Sequence, residues 1–268
     1  MADDVLYALE DGGVAVLTLN RPERLNAWNG DIERQLFDYL DQCTEDPDVK
    51  VIVITGAGRG FCAGADMDVL QGIGARGGEG RDGPRRRTFH LLGVPKPIIA
   101  AINGACAGIG MVQALMTDIR FAAKGAKFTT AFVRRGLIAE HGMSWVLPKL
   151  IGPARALDVL LSGRVFLADE AAEMGIVNAV VEPDELMAYT LAYARDMAVN
   201  CSPSSLAAIK REVWGQLVGL TVEEATAQSD ADMAHSLAGT DFKEGVASFL
   251  EKRPPNFAPL ARGWATGD

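Results

Sequence analysis

Pro97-Ile98-Ile99-Ala100-Ala101-Ile102-Asn103-Gly104, running on through Ala105-Cys106-Ala107 to Gly108-Ile109-Gly110, decides how this chain is read. An unbroken apolar run of strand length gives way to small residues, and a helical pattern begins. Such a run is a buried strand that ends in a tight turn. The stretch Gly60-Phe61-Cys62-Ala63-Gly64-Ala65-Asp66-Met67 has the same character. In both turns the backbone N–H groups leave the ladder without a strand to bond. Two such turns brought together make a pair of preorganised donors for an oxyanion, a device that needs no side-chain chemistry.

Outward from these stretches the hydrophobic period switches in a regular way. Val14-Ala15-Val16-Leu17-Thr18-Leu19 alternates as a strand does, residues 29–42 place Ile32, Leu36, Phe37 and Leu40 at helical spacing, and residues 49–54 are again a strand. The alternation continues with a strand over 98–102, a helix over about 108–116 and a short strand over 119–122. This is the pattern of an α/β fold. From about residue 200 the pattern is helical, with Ser202-Pro203 as its start signal and Leu206, Ile209, Val213 and Trp214 as an apolar stripe. The chain is therefore expected to divide into a core over 1–200 and a separate helical segment over 201–268.

Composition excludes some classes. The chain has 268 residues, 49% apolar and 23% charged, which is ordinary globular usage. A formal charge of −9 argues against general nucleic-acid binding, which needs a basic face to neutralise phosphates. No apolar run approaches the roughly 20 residues of a membrane span, and Met1-Ala2-Asp3-Asp4 is acidic where a targeting signal would be basic, so a cytoplasmic location is expected. Cys43, Cys62, Cys106 and Cys201 are far apart and lack nearby His ligands. They read as reduced thiols rather than disulfides or a metal site. Cys62 as a nucleophile is disfavoured, since no His or acid lies near it in sequence. Gly56-Ala57-Gly58-Arg59-Gly60 follows a strand but lacks both the Lys-Ser/Thr pair of a phosphate loop and the third glycine of a dinucleotide fingerprint. Residues 71–83 are glycine-rich and are expected as a loop, either a surface insertion or a segment that closes over a site.

The motifs taken together resemble the crotonase (enoyl-CoA hydratase/isomerase) family. Besides the two turn stretches, Leu19-Asn20-Arg21-Pro22-Glu23-Arg24-Leu25-Asn26-Ala27 is similar to the family's first coenzyme-A segment, and Leu160-Leu161-Ser162-Gly163-Arg164 with Gly175-Ile176-Val177 to a later helical signature. The resemblance implies a spiral α/β core with a C-terminal helical segment, an acyl-CoA thioester substrate and a thioester enolate as intermediate. It implies no separate cofactor, coenzyme A entering as part of the substrate, and a homotrimer or dimer of trimers. Carried over residue by residue, the oxyanion donors are the N–H groups of Ala65 and Ile109. The substrate contacts are Arg24, Leu25, Ala27, Ala63, Asp66, Met67, Gly108, Val112 and Phe132, with Phe249 and Lys252 reaching a neighbour's site.

The chain departs from the family where the acids should be. The two positions that carry glutamate in the family's hydratases hold Val112 and Phe132. Hydration uses two carboxylates on one water, one as base and one as acid. Gly136-Leu137-Ile138-Ala139-Glu140-His141-Gly142 supplies another carboxylate, at a position where dienoyl-CoA isomerases of the family carry an acid. Glu140 is therefore the expected proton shuttle of a double-bond isomerisation, its pKa raised by an apolar pocket, with His141 beside it as partner or base. The alternatives are a hydratase using Glu140 and His141, an acyl-CoA binding protein that kept the pocket without catalysis, and a hydrolase of the same family using His141.

Overall fold

The computed structural model describes residues 3–75, 88–217, 219 and 221–260. In chain order the first elements are β1 (Val5–Glu10), β2 (Val14–Leu19), α1 (Gly30–Glu45), β3 (Val51–Gly56), β4 (Gly60–Cys62), α2 (Met67–Ala75), α3 (His90–Gly93), β5 (Ile98–Ile102), β6 (Ala105–Ala107) and α4 (Ile109–Leu115). They are followed by β7 (Ile119–Ala123), β8 (Lys127–Thr129), α5 (Met143–Ser162), β9 (Phe166–Leu167), α6 (Ala168–Met174), β10 (Ala179–Val181), α7 (Leu186–Asn200), α8 (Pro203–Gln216), α9 (Val222–Ala238) and α10 (Thr240–Glu251). The first five residues of the expected glycine-rich loop, 71–75, continue α2, and the rest of it lies outside the described residues.

Two sheets are interleaved along the chain. The larger runs β1-β2-β3-β5-β7-β10 and is parallel apart from the β1/β2 hairpin, while the smaller runs β4-β6-β8-β9. Each of β3, β5 and β7 is followed by a short strand of the second sheet, so β3-β5-β7 and β4-β6-β8 climb side by side. This is a spiral of strand–turn–strand units whose helices pack outside.

The continuous apolar runs follow from that position. Every residue of β3 and β5 is buried, as a parallel sheet covered on both faces requires. Alternate residues feed two cores. Ile52, Ile54, Ile98, Ala100 and Ile102 pack with α1 and α4 on one face, and Val51, Val53, Ile99 and Ala101 pack with Leu186, Ala194 and Ala198 of α7 on the other. Helix α1 presents Ile32, Leu36, Phe37 and Leu40, all buried, and Asn29 caps it by accepting from the Ile32 N–H. The strand expected over 49–54 instead covers β3, because the ladder with β2 continues to Gly56 opposite Leu19.

Helix α8 starts where Ser202-Pro203 announces it, with the Ser202 hydroxyl accepting from the Ser205 N–H. Its faces differ from the expected ones. Ile209 and Val213 are exposed, whereas Ala207, Lys210 and Trp214 form the side turned to the core. Lys210 Nζ lies 2.8 Å from Asp118 Oδ2 and donates to the Lys96 carbonyl, and Trp214 Nε1 donates to Asp118 Oδ1 at 2.9 Å. Asp118 also accepts from the Ile98 N–H, the first residue of β5. The first helix of the tail is thus bonded into the sheet by a buried polar cluster, which an apolar-stripe reading cannot anticipate. Among the described residues, no helix is long and apolar enough to cross a membrane.

Candidate active site

The two turns singled out in the sequence meet. After β4 the chain runs beside residues 25–28: Ala63 N donates to Leu25 O, Trp28 N to Gly64 O, and Asp66 N to Trp28 O. In this parallel bridge Trp28 bonds to the residues on either side of Ala65, so the Ala65 N–H points away from that neighbour. Gly108 takes φ 50° and ψ −123°, a conformation open to glycine, and Ile109 opens α4 with no side-chain cap. The first helical bond is Val112 N to Gly108 O, so the Ile109 N–H precedes the intrahelical ladder. Neither N–H has a backbone acceptor among the described residues. A Cβ at Gly108 would lie 3.8 Å from the Gly64 Cα, so the turns are in contact.

What holds them together is the approach of α4 to β4. A Cβ at Gly110 would fall 2.3 Å from the Cys62 carbonyl oxygen and 2.8 Å from its sulfur, closer than atoms pack. Cys62 is fully buried, and burial pushes its thiol up to about 12, so it fills space here and is not a nucleophile.

A cleft of about 260 Å³ opens over the turns, lined by both donor residues and by Arg24, Ala27, Ala63, Asp66, Met67, Gly108, Phe132, Glu140 and His141. Gly64 of the first turn stretch and Leu137 of the Gly136–Gly142 pattern line it too, as do Leu70, Thr130, Ala131 and Arg135, which no motif marked. Only nearness in the chain to Phe132 and Glu140 could have pointed to the last three. Other expected contacts lie elsewhere. Leu25, in the left-handed region at φ 49°, acts through its carbonyl on Ala63 and does not line the cleft. Val112 is fully buried in the core behind the cleft wall. Phe249, 83% exposed, borders a separate groove of about 1230 Å³ between α8, α9 and α10, and Lys252 caps α10.

Asp66 lines the cleft but is already engaged. Arg21 Nη1 donates to its Oδ2 at 2.8 Å and the Asp68 N–H to its Oδ1. Burial alone would raise its pKa, but these bonds outweigh burial and hold the carboxyl below its ordinary range. Glu140 is the other carboxylate of the lining. Its side chain is 45% exposed and stands 3.6 Å from His141 Nε2. Residues 136–142 form the rim of the cleft, and Glu140 is exposed there. The turn is anchored where Thr88 Oγ1 donates to the His141 carbonyl at 2.8 Å and His141 adopts φ 56°.

Comparison with known proteins fits this geometry. The family model described as Enoyl-CoA hydratase/isomerase matches residues 10–259. The chain belongs to that family. It is 38% identical to the 1,2-epoxyphenylacetyl-CoA isomerase of Escherichia coli (strain K12), over 96% of this chain and 99% of that one. A "probable enoyl-CoA hydratase/isomerase" of Mycobacterium abscessus superposes with TM-score 0.89 at 33% identity, covering 97% of this chain and 100% of that one. The enoyl-CoA hydratase EchA12_1 of Mycobacterium marinum is 52% identical, with TM-score 0.70, covering 80% and 98%. Within the enoyl-CoA hydratase/isomerase family these names mix two reactions, and the fold serves both.

Proposed function

We propose that the chain isomerises enoyl-CoA thioesters, with Glu140 carrying the proton. In this reading the thioester oxygen accepts from the Ala65 and Ile109 N–H groups. Glu140 removes a proton from C2 of a 3-enoyl-CoA, the electron pair moves into the thioester to form the enolate, and the C3=C4 bond becomes C2=C3 as Glu140 returns the proton to C4. No water or external acid enters the balance. Each oxyanion donor typically contributes about 10² to 10³ in rate. The observation that carries the reading is the lining itself: of its two carboxylates, Asp66 is bound by Arg21 and Glu140 alone remains for proton transfer.

A hydratase reading also has support. Glu140 is open to water and has His141 beside it, and hydratases are among the similar proteins. The two reactions separate in one assay. We expect 3-enoyl-CoA to be converted to the 2-enoyl isomer at an ordinary enzymatic rate of about 1 to 10³ per second, with crotonyl-CoA hydrated far more slowly. Glu140→Gln should lower isomerisation by at least about 10²-fold while leaving acyl-CoA binding by calorimetry unchanged. Crotonyl-CoA hydration in the ordinary range, or an active Glu140→Gln protein, overturns the assignment. Binding with no turnover of either substrate indicates a binding protein.

For assembly we propose a homotrimer or a dimer of trimers built through the C-terminal helices. Exposed Ile209, Phe249 and Leu250 support an intersubunit role for that surface. Phe249 and Lys252 would then approach a neighbouring chain's cleft.

A further inference from the structure

Five side chains of the cleft carry charge or gain it on protonation, and four of them are paired. Asp66 meets Arg21 at 2.8 Å, Arg24 meets Asp68 at 3.5 Å, and Glu140 and His141 face each other at 3.6 Å. Arg135 is the exception. It donates from Nη1 to the Ala131 carbonyl at 3.2 Å and makes no ion pair among the described residues. A guanidinium has five N–H donors in a planar fork, so most of its capacity is unspent. It is exposed at the rim, where an unpaired cation costs little in the free protein and a ligand can reach it.

The placement of Arg135 is fixed by the backbone. The residue closes a short helical turn over Val133–Arg135, and Gly136 at φ 68° turns the chain back so that Leu137, Glu140 and His141 line the same cleft. Arg135 therefore belongs to the segment that delivers the proposed proton carrier. It lies apart in sequence from the 24–27, 63–70 and 108–109 segments that complete the lining. Around it the wall is apolar, through Ala131, Phe132 and Leu137.

We propose that Arg135 binds an oxyanion on the acyl portion of the substrate, so that preferred substrates are coenzyme A monothioesters of short dicarboxylic acids. This rests on the reading that Glu140 acts on the acyl chain, since it is Glu140's segment that Arg135 shares. A carboxylate is the group that a guanidinium fork matches with two parallel N–H···O bonds. Arg135 and both donor residues line one cleft of about 260 Å³, so the chain joining a thioester at the donors to a carboxylate at Arg135 is short. The phosphates of coenzyme A offer the same oxyanion chemistry from another source, and the two sources differ in what loses affinity when Arg135 is changed.

The test uses saturated thioesters, which bind but cannot isomerise. Calorimetry compares glutaryl-CoA with pentanoyl-CoA on the wild type, Arg135→Gln and Arg135→Lys. The wild type should bind glutaryl-CoA at least tenfold more tightly. Arg135→Gln should lose tenfold or more for glutaryl-CoA and stay within twofold for pentanoyl-CoA, with Arg135→Lys intermediate. The pentanoyl-CoA arm also reports that the variant is folded. Equal weakening of both ligands would identify a coenzyme A phosphate contact, and no preference in the wild type would exclude acyl recognition; either result overturns the proposal. If Glu140 proved not to be the proton carrier, these binding constants would still stand, so the two failures are distinguishable.

Discussion

Two concavities among the described residues differ in kind, and the smaller is the candidate active site. The cleft over the Gly64–Ala65 and Gly108–Ile109 turns has a volume of about 260 Å³, with two unspent backbone donors, the Glu140 carboxylate and the Arg135 guanidinium on its lining. The groove between α8, α9 and α10 encloses about 1230 Å³, bordered by Ile209, Met233, Leu237, Phe242, Val246 and Phe249. In the first, helices and strands are pressed together until only glycine fits at residue 110. In the second, helices stand apart and leave apolar side chains uncovered. The contrast runs opposite to size: tight backbone packing is what preorganises donors, and uncovered apolar side chains are what a partner can cover.

Three substitutions break or sharpen that contrast. The largest effect is expected at the joint between the two regions. Burial lowers the Lys210 ammonium pKa and Asp118 offsets part of that fall, so removing one partner strands the other in the core. Lys210→Met should cost about 3 kcal/mol in denaturant unfolding. It should also loosen α8 before the core, seen as faster amide exchange in α8 than in β5. A uniform change, or none, would show that α8 is held by apolar contacts alone.

The next effect tests the cleft. Gly110→Ala places a methyl against the Cys62 carbonyl and should cost about 1 to 3 kcal/mol by overpacking. Because the shift falls on the segment that carries Ala65, turnover should drop more than stability does. Turnover that keeps pace with the folded fraction would mean that the spacing of the two donors is not critical.

The smallest effect belongs to the groove. Leu250 is 73% exposed, so Leu250→Ser should change the unfolding free energy by no more than about 0.5 kcal/mol. If the groove is an intersubunit surface, light scattering at micromolar concentration should show a smaller assembly for the variant than for the wild type. An unchanged assembly removes Leu250 from the interface.

Much of the fold was legible because long elements keep a period. The buried runs of β3 and β5 and the Ile32, Leu36, Phe37, Leu40 face of α1 are written in residue order. The second sheet was not, since β4, β6, β8 and β9 have two or three residues each, too few for any period to show. Helix α8 was legible in its start and misleading in its faces. A buried lysine paired with Asp118 looks polar in sequence, and the exposed Ile209 and Val213 look like core.

At the cleft the division is similar. The sequence by itself determined the two glycine turns, the apolar residues at 112 and 132, and the presence of Glu140 near them in the chain, because these are matters of residue type and local spacing. Tertiary structure decided that Ala65 and Ile109 stand side by side, that Val112 sits behind the wall while Phe132 forms it, that Arg21 occupies Asp66, and that Arg135 reaches the same cleft unpaired. The physical reason is that donors and charges act through space over a few ångströms. Residues 65, 109 and 135 line one cleft only when successive strand–turn–strand units stack into the spiral.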